Sequence, residues 1–101
     1  YTPDFILKNN IIIDTKRMFT TADRRKHLCI KKQHPELDIR FVFENSRRKL
    51  RKNAKSNYAQ WCIKYGFRYY DRIIPEDWLL EKKKKNFSTF VKFKGTKRKI
   101  K

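Results

Sequence analysis

The opening sixteen residues, YTPDFILKNNIIIDTK, restrict the fold more than any other stretch of the chain. Phe5–Leu7 and Ile11–Lys16 have strand character, and Lys8-Asn9-Asn10 between them supplies asparagines that tolerate the positive φ of a tight reversal. A hairpin is predicted. With a three-residue loop, Leu7 pairs with Ile11, and the register carries Asp4 opposite Asp14. Directly opposed residues hold their Cβ atoms about 4.5–5.5 Å apart. Two carboxylates at that distance repel unless a cation lies between them. Side chains two apart on a strand share a face, so Lys16 joins Asp14.

That pattern has a chemical reading. A hard divalent ion such as Mg²⁺ takes one or two carboxylates and keeps several waters. A lysine beside it can orient or deprotonate a water attacking a phosphodiester, or neutralise charge in the pentavalent transition state. Asp4, Asp14 and Lys16 are therefore the candidate catalytic residues, with Asp4 and Asp14 as ligands of Mg²⁺ and Mn²⁺ expected to substitute. The plain alternative is that Asp4 caps a turn while Asp14 and Lys16 form an ordinary surface pair.

Further along, Thr20 or Thr21 caps a helix starting near Ala22, with Asp23 in its first turn, and the helix should end before Pro35. Leu37–Phe43 alternates as a strand with one apolar face. A basic loop spans residues 46–55, after which Ser56 caps a helix to about Tyr65, closed by Gly66 as C′ residue. A short strand at Phe67–Tyr70 and a short helix at Pro75–Leu80, with proline in its first position, complete the body. The order β-β-α-β-α-β-α gives a small α/β domain, a mixed sheet flanked by helices. Tyr58, Trp61 and Tyr65 are read as core, and Trp78 as a plug at the domain edge. Cys29 and Cys62 lack any metal-ligand spacing and are read as buried free thiols. His27 and His34, seven apart on one helix and without a third ligand, are read as structural residues or DNA-backbone contacts.

The chain has 101 residues, enough for one core, with 28 basic and 10 acidic side chains and a net charge of +18. Residues 1–81 hold all ten acids and still carry +8, while residues 82–101 carry +10. We read residues 1–81 as the core domain and residues 82–101 as an extended or disordered basic arm. Such a field attracts polyanions, nucleic acid first. Arg17, Arg24, Arg25, Lys26, Lys31 and Lys32 form one candidate DNA-binding cluster. Arg47, Arg48, Lys49, Arg51, Lys52 and Lys55 form a second. Contacts of this kind hold a duplex by its phosphates without reading its sequence. The longest apolar run is far too short to span a membrane, and no membrane partner is expected. Because the chain opens on Tyr1, immediately before a strand, a preceding segment is expected.

The arrangement Pro3-Asp4 followed by Asp14-Thr15-Lys16 resembles the motif of P-D…(D/E)-x-K nucleases. Together with DRRKHLCIKKQHPELDIRFVF and IIPEDWL, it resembles the endonuclease I family of T-odd short-tailed phages over roughly residues 1–80. The resemblance implies a restriction-endonuclease-like core of the PD-(D/E)XK superfamily. It implies a magnesium-dependent homodimer that resolves four-way (Holliday) junctions and debranches DNA in the cytoplasm of the infected host. Asp4 then matches the metal-binding aspartate and Lys16 the catalytic lysine, while Asp14 stands where the family usually has glutamate. The family also carries a catalytic glutamate on a helix upstream of the P-D pair, outside this sequence. The stretch beginning at Tyr1 is therefore expected to be inactive alone. Two other readings stay open on the residues themselves: a free-standing homing or nicking endonuclease on the same core, and a non-catalytic basic DNA-binding module.

Overall fold

The computed structural model describes residues 1–84 and the backbone of residues 99–100. The hairpin forms as its asparagines dictate. Strand β1 (Phe5–Leu7) pairs antiparallel with β2 (Ile12–Lys16), Phe5 opposite Ile13 and Ile6 opposite Ile12. Leu7 N–H donates to Ile11 O and Asn10 N–H to Leu7 O, both at 2.9 Å, and Asn10 takes φ 68°. A short polar side chain that bonds locally makes this left-handed conformation accessible.

Helix α1 (Thr21–Gln33) starts at a reciprocal cap. Thr20 Oγ1 accepts from Asp23 N–H, and the Asp23 carboxylate accepts from Thr20 N–H. The chain returns as β3 (Ile39–Phe43), parallel to β2, then runs through α2 (Tyr58–Tyr65) to β4 (Arg68–Asp71), parallel to β3. Gly66 ends α2 at φ 78°, the left-handed position that favours glycine. A single helical turn, α3 (Glu76–Leu79), follows, and β5 (Lys99–Ile100) lies parallel to β1. The sheet order is β4-β3-β2-β1-β5, a mixed sheet with helices, so the expected α/β class holds.

Two clusters of buried side chains cover the sheet. Ile12, Phe41 and Phe43 pack with Phe19, Ile30, Tyr58, Trp61 and Phe67, which brings α1 and α2 onto one face. Leu7, Ile11, Ile13 and Val42 pack with Trp78, which brings α3 onto the other. Tyr58 and Trp61 are thus core residues, as expected, with Tyr65 partly buried against them, and Trp78, expected as a plug at the domain edge, is buried in the second cluster.

The second layer corrects the reading of β3. The strand starts at Ile39 rather than Leu37, and all five of its residues are buried, not only one face. Arg40 is 2% exposed because partners neutralise it. Its guanidinium donates to both carboxylate oxygens of Asp38 and to both of Glu81, and it stacks 5.1 Å from the Trp78 ring. Three smaller corrections concern ends and thiols. Asn57, not Ser56, caps α2, because Gln60 three residues later returns the hydrogen bond. Pro75 sits at the cap of α3 rather than inside it. Cys62 is buried, but Cys29 is exposed, since α1 turns His27 and Ile30 inward.

Of the basic arm assigned to residues 82–101, residues 85–98 and Lys101 lie outside the described residues. The start of that segment is tied to the hairpin turn. Lys84 N–H donates to Asn9 O at 2.7 Å, and Asn10 Nδ2 donates to Lys84 O at 3.1 Å.

Candidate active site

The β2–α1–β3 connection runs α1 antiparallel to the strands it covers. Two residues of strand advance about 6.6 Å and four residues of helix about 6 Å. The two periods therefore match. Asp14 and Lys16, two apart on β2, meet His27 and Asp23, four apart on α1. His27 Nε2 lies 3.4 Å from Asp14 Oδ2, and Lys16 Nζ lies 3.5 Å from Asp23 Oδ1.

Asp14 is 4% exposed, and burial pushes its carboxyl above the usual range. Opposing that shift, the Tyr1 hydroxyl donates to Oδ2 at 2.5 Å, and Asp4 N–H donates to Oδ1 at 3.1 Å. Burial and the neighbouring carboxylate push the Tyr1 hydroxyl up, so it stays a donor. Burial and the Lys16 charge hold His27 down to about 3, so its imidazole is neutral. At Asp23 burial works against ionisation, yet the Thr20 backbone and Lys16 hold its carboxyl below the ordinary value.

Asp4 lies beside Asp14, as the hairpin register requires, but its own carboxylate is engaged by the neighbouring residue. Asp4 Oδ2 accepts from Thr15 N–H at 2.8 Å and from Thr15 Oγ1 at 2.9 Å. Among the described residues, no group of three or more His, Cys, Asp or Glu side chains gathers into a metal cradle. What is assembled is the buried Asp14 carboxylate on β2 with Lys16 one step along, and Asp4 just before β1, its N–H on Asp14 and its own carboxylate turned to Thr15.

The basic residues divide. Arg17 lines an open cleft with Lys16, Glu44 and Arg72, and Arg47 lines an adjoining one with Asn45, Asp71 and Arg72. Arg48 Nη1 donates to Met18 Sδ, which brings the loop after β3 against the segment that follows Lys16. Arg24 is partly used locally, donating to Phe19 O and to Thr21 Oγ1, while Arg25 and Lys26 are exposed in the first half of α1. Lys31 and Lys32 are not brought to this rim. They end α1 at the other end of the sheet, where Lys31 Nζ donates to Gly66 O and covers the Phe67 ring. Lys49, Arg51 and Lys52 are exposed in the loop before α2.

The model of the phage endonuclease I family matches residues 1–99. The chain belongs to that family. It is similar to "Endonuclease I" of Escherichia phage T7, 47% identical over 98 residues, and to "Endodeoxyribonuclease 1" of Enterobacteria phage T3, 50% identical over 99 residues. Each alignment covers 97% of this chain, which spans 66% and 65% of the length of those two relatives.

Four residues beside the candidate site are not assigned to it by the sequence, which presents His27 as a structural residue or DNA-backbone contact and Asp23 as a first-turn acid of α1. Tyr1 and His27 contact Asp14, and Asp23 pairs with Lys16. The signal for the last two was present: Asp23 and His27 are spaced i, i+4 on a helix predicted to follow a strand that carries charges at i, i+2. The fourth is Arg72, at φ 70° just after β4, with its N–H donating to Phe43 O at 2.8 Å. A left-handed non-glycine residue costs about 1–3 kcal/mol and clusters at functional sites, but nothing in IIPEDWL and its approach announces one.

Proposed function

We propose that the protein is a DNA endonuclease, hydrolysing phosphodiesters in branched duplexes such as four-way junctions. It would act as a homodimer in the cytoplasm of the infected host. The observation that carries this reading is Asp4, just before β1, set against Asp14 on β2 by its N–H bond to the Asp14 carboxylate, with Lys16 two residues on, in a chain of the phage endonuclease I family. The donor set is two hard oxygen ligands, which suits Mg²⁺ or Mn²⁺ retaining most of its water. Asp4 and Asp14 would hold the ion, which when bound supplies Lewis acidity toward a phosphoryl oxygen and activates water.

The chain's own residues do the rest. Asp23 receives Lys16 and keeps its ammonium at the rim, beside the carboxylates, where it stabilises charge developing on the phosphorane. Arg17, Arg47, Arg48 and Arg72, with Arg25 and Lys26 on α1, would grip phosphates on either side. Lys31, Lys32, Lys49, Arg51 and Lys52 extend that field without touching the scissile bond. Such contacts follow backbone shape, which is what distinguishes a junction from a linear duplex.

The test is cleavage and binding of a four-way junction against a linear duplex of equal length, with Mg²⁺, by a form extended upstream of Tyr1, since the stretch beginning at Tyr1 is expected to be inactive alone. Affinity for the junction is expected to exceed that for the duplex and to fall steeply with salt. Lys16→Ala and Asp4→Asn should each lower the cleavage rate by about 10²–10³-fold, the scale of losing one charge-stabilising group. Equal affinity for both substrates, with no Mg²⁺-dependent cleavage of either, would favour a non-catalytic binding module instead.

A further inference from the structure

His27 occupies a position where packing alone calls for a hydrocarbon. It is fully buried, edge-on to Phe41 at 4.8 Å, to Tyr1 at 5.7 Å and to Phe67 at 6.4 Å. Among the described residues, neither ring nitrogen has a hydrogen-bond partner. An unsatisfied buried polar group costs about 1–3 kcal/mol, so phenylalanine or leucine would fill this space at lower cost. One nitrogen does have a direction. Nε2 faces Asp14 Oδ2 at 3.4 Å, just outside hydrogen-bond geometry, on a carboxylate otherwise held by Tyr1 Oη and Asp4 N–H.

We infer that His27 is a positioning residue for Asp14, its Nε2–H setting the orientation in which that carboxylate shares a divalent cation with Asp4. The inference rests on the reading of Asp4 and Asp14 as the cation-holding pair. Carboxylates that hold metals are themselves hydrogen-bonded, and the partners behind them are sensitive to mutation. The placement has a structural cause. The match of strand and helix periods brings the same face of α1 to both Asp14 and Lys16, so His27 can orient one group while Asp23 orients the other. A long contact also leaves Asp14 room to settle when its outer oxygens take up a ligand, as catalytic hydrogen bonds often tighten only in the loaded state.

The experiment measures Mn²⁺ binding by electron paramagnetic resonance, with thermal melts in parallel, for the wild type, Asp14→Asn, His27→Phe and His27→Gln. Asp14→Asn should abolish binding. His27→Phe should weaken it by about tenfold or more without lowering the melting temperature, and His27→Gln, which keeps a donor, should recover to within about threefold. A folded His27→Phe protein that binds Mn²⁺ as tightly as the wild type overturns the inference. Wild-type binding that Asp14→Asn leaves intact overturns the cation reading itself. Nitrogen-15 spectra of the wild-type imidazole decide the matter independently, including where His27→Phe fails to fold. A proton on Nε2 is expected, and a bare Nε2 with the proton on Nδ1 would show that His27 cannot donate to Asp14.

Discussion

Where β3 and β4 begin, Arg40 is enclosed by Asp38, Glu81 and Trp78, and Lys84 reaches the same two carboxylates at 3.7 and 3.1 Å. Where β2, β3 and β4 end, Asp14 is buried without a charged partner in contact among the described residues, His27 has no hydrogen bond among them, and Arg72 holds a left-handed backbone. A cleft larger than those beside Lys16 lies at the first end, lined by Arg40, Arg68 and Glu81, yet its charges are spent on one another. The smaller clefts lie at the second, beside Lys16, Arg17 and Arg72. Concavity alone therefore points away from the proposed site. Buried charge satisfied within the fold stabilises it, whereas buried polar groups left strained or unpaired mark where a ligand is to complete the structure.

Breaking the first end should have the largest effect on stability. Arg40→Ala leaves Asp38 and Glu81 to Lys84 and Arg68 alone and is expected to cost about 3 kcal/mol, the lower range for opening a buried ion pair, since both carboxylates keep some solvent. Urea denaturation measures this.

The two ends should also respond oppositely to acid. The Arg40 hydrogen bonds hold Glu81 down to about 2 from an ordinary 4.5. The stability this contributes is complete above about pH 4.5 and is lost as pH falls toward 2. Asp14 is raised above its ordinary 3.8, so the folded state binds the proton more tightly than the unfolded one. Its contribution declines as pH rises from 3.8 through its folded value. Unfolding midpoints against pH in chelator should show Glu81→Gln removing the acid loss and Asp14→Asn removing the opposing slope.

The smallest expected change sharpens the contrast at the second end. Arg72→Gly relieves the left-handed backbone and should raise stability by up to about 1 kcal/mol while weakening junction binding several-fold. A loss of both stability and affinity would assign Arg72 to the scaffold instead.

Local rules carried most of the fold. The asparagine turn, the Thr20 cap, Pro35 and Gly66 each act within a few residues, and the hairpin register that aligns Asp4 with Asp14 follows from the turn. What the sequence concealed was non-local. Arg40 alternates with apolar neighbours and reads as a solvent-facing residue until Glu81, forty-one positions away, is found beside it. His27 reads as one of a pair with His34, but His34 faces Glu36 at the helix end while only His27 turns to Asp14. Cys29 and Lys31 illustrate the same limit, since the side of α1 that meets the sheet is fixed by tertiary packing and not by its mixed polar sequence.

The central claim is that the two ends do separate work, and one paired assay tests it. Junction cleavage is measured with Mg²⁺ for Asp14→Asn and Arg40→Met, each made in a form extended upstream of Tyr1, at equal concentrations of folded protein. The account predicts that Asp14→Asn keeps or raises the melting temperature and loses activity by about 10²–10³-fold, while Arg40→Met loses stability and keeps wild-type cleavage per folded molecule. Wild-type cleavage by Asp14→Asn, or loss of cleavage by folded Arg40→Met, would contradict it.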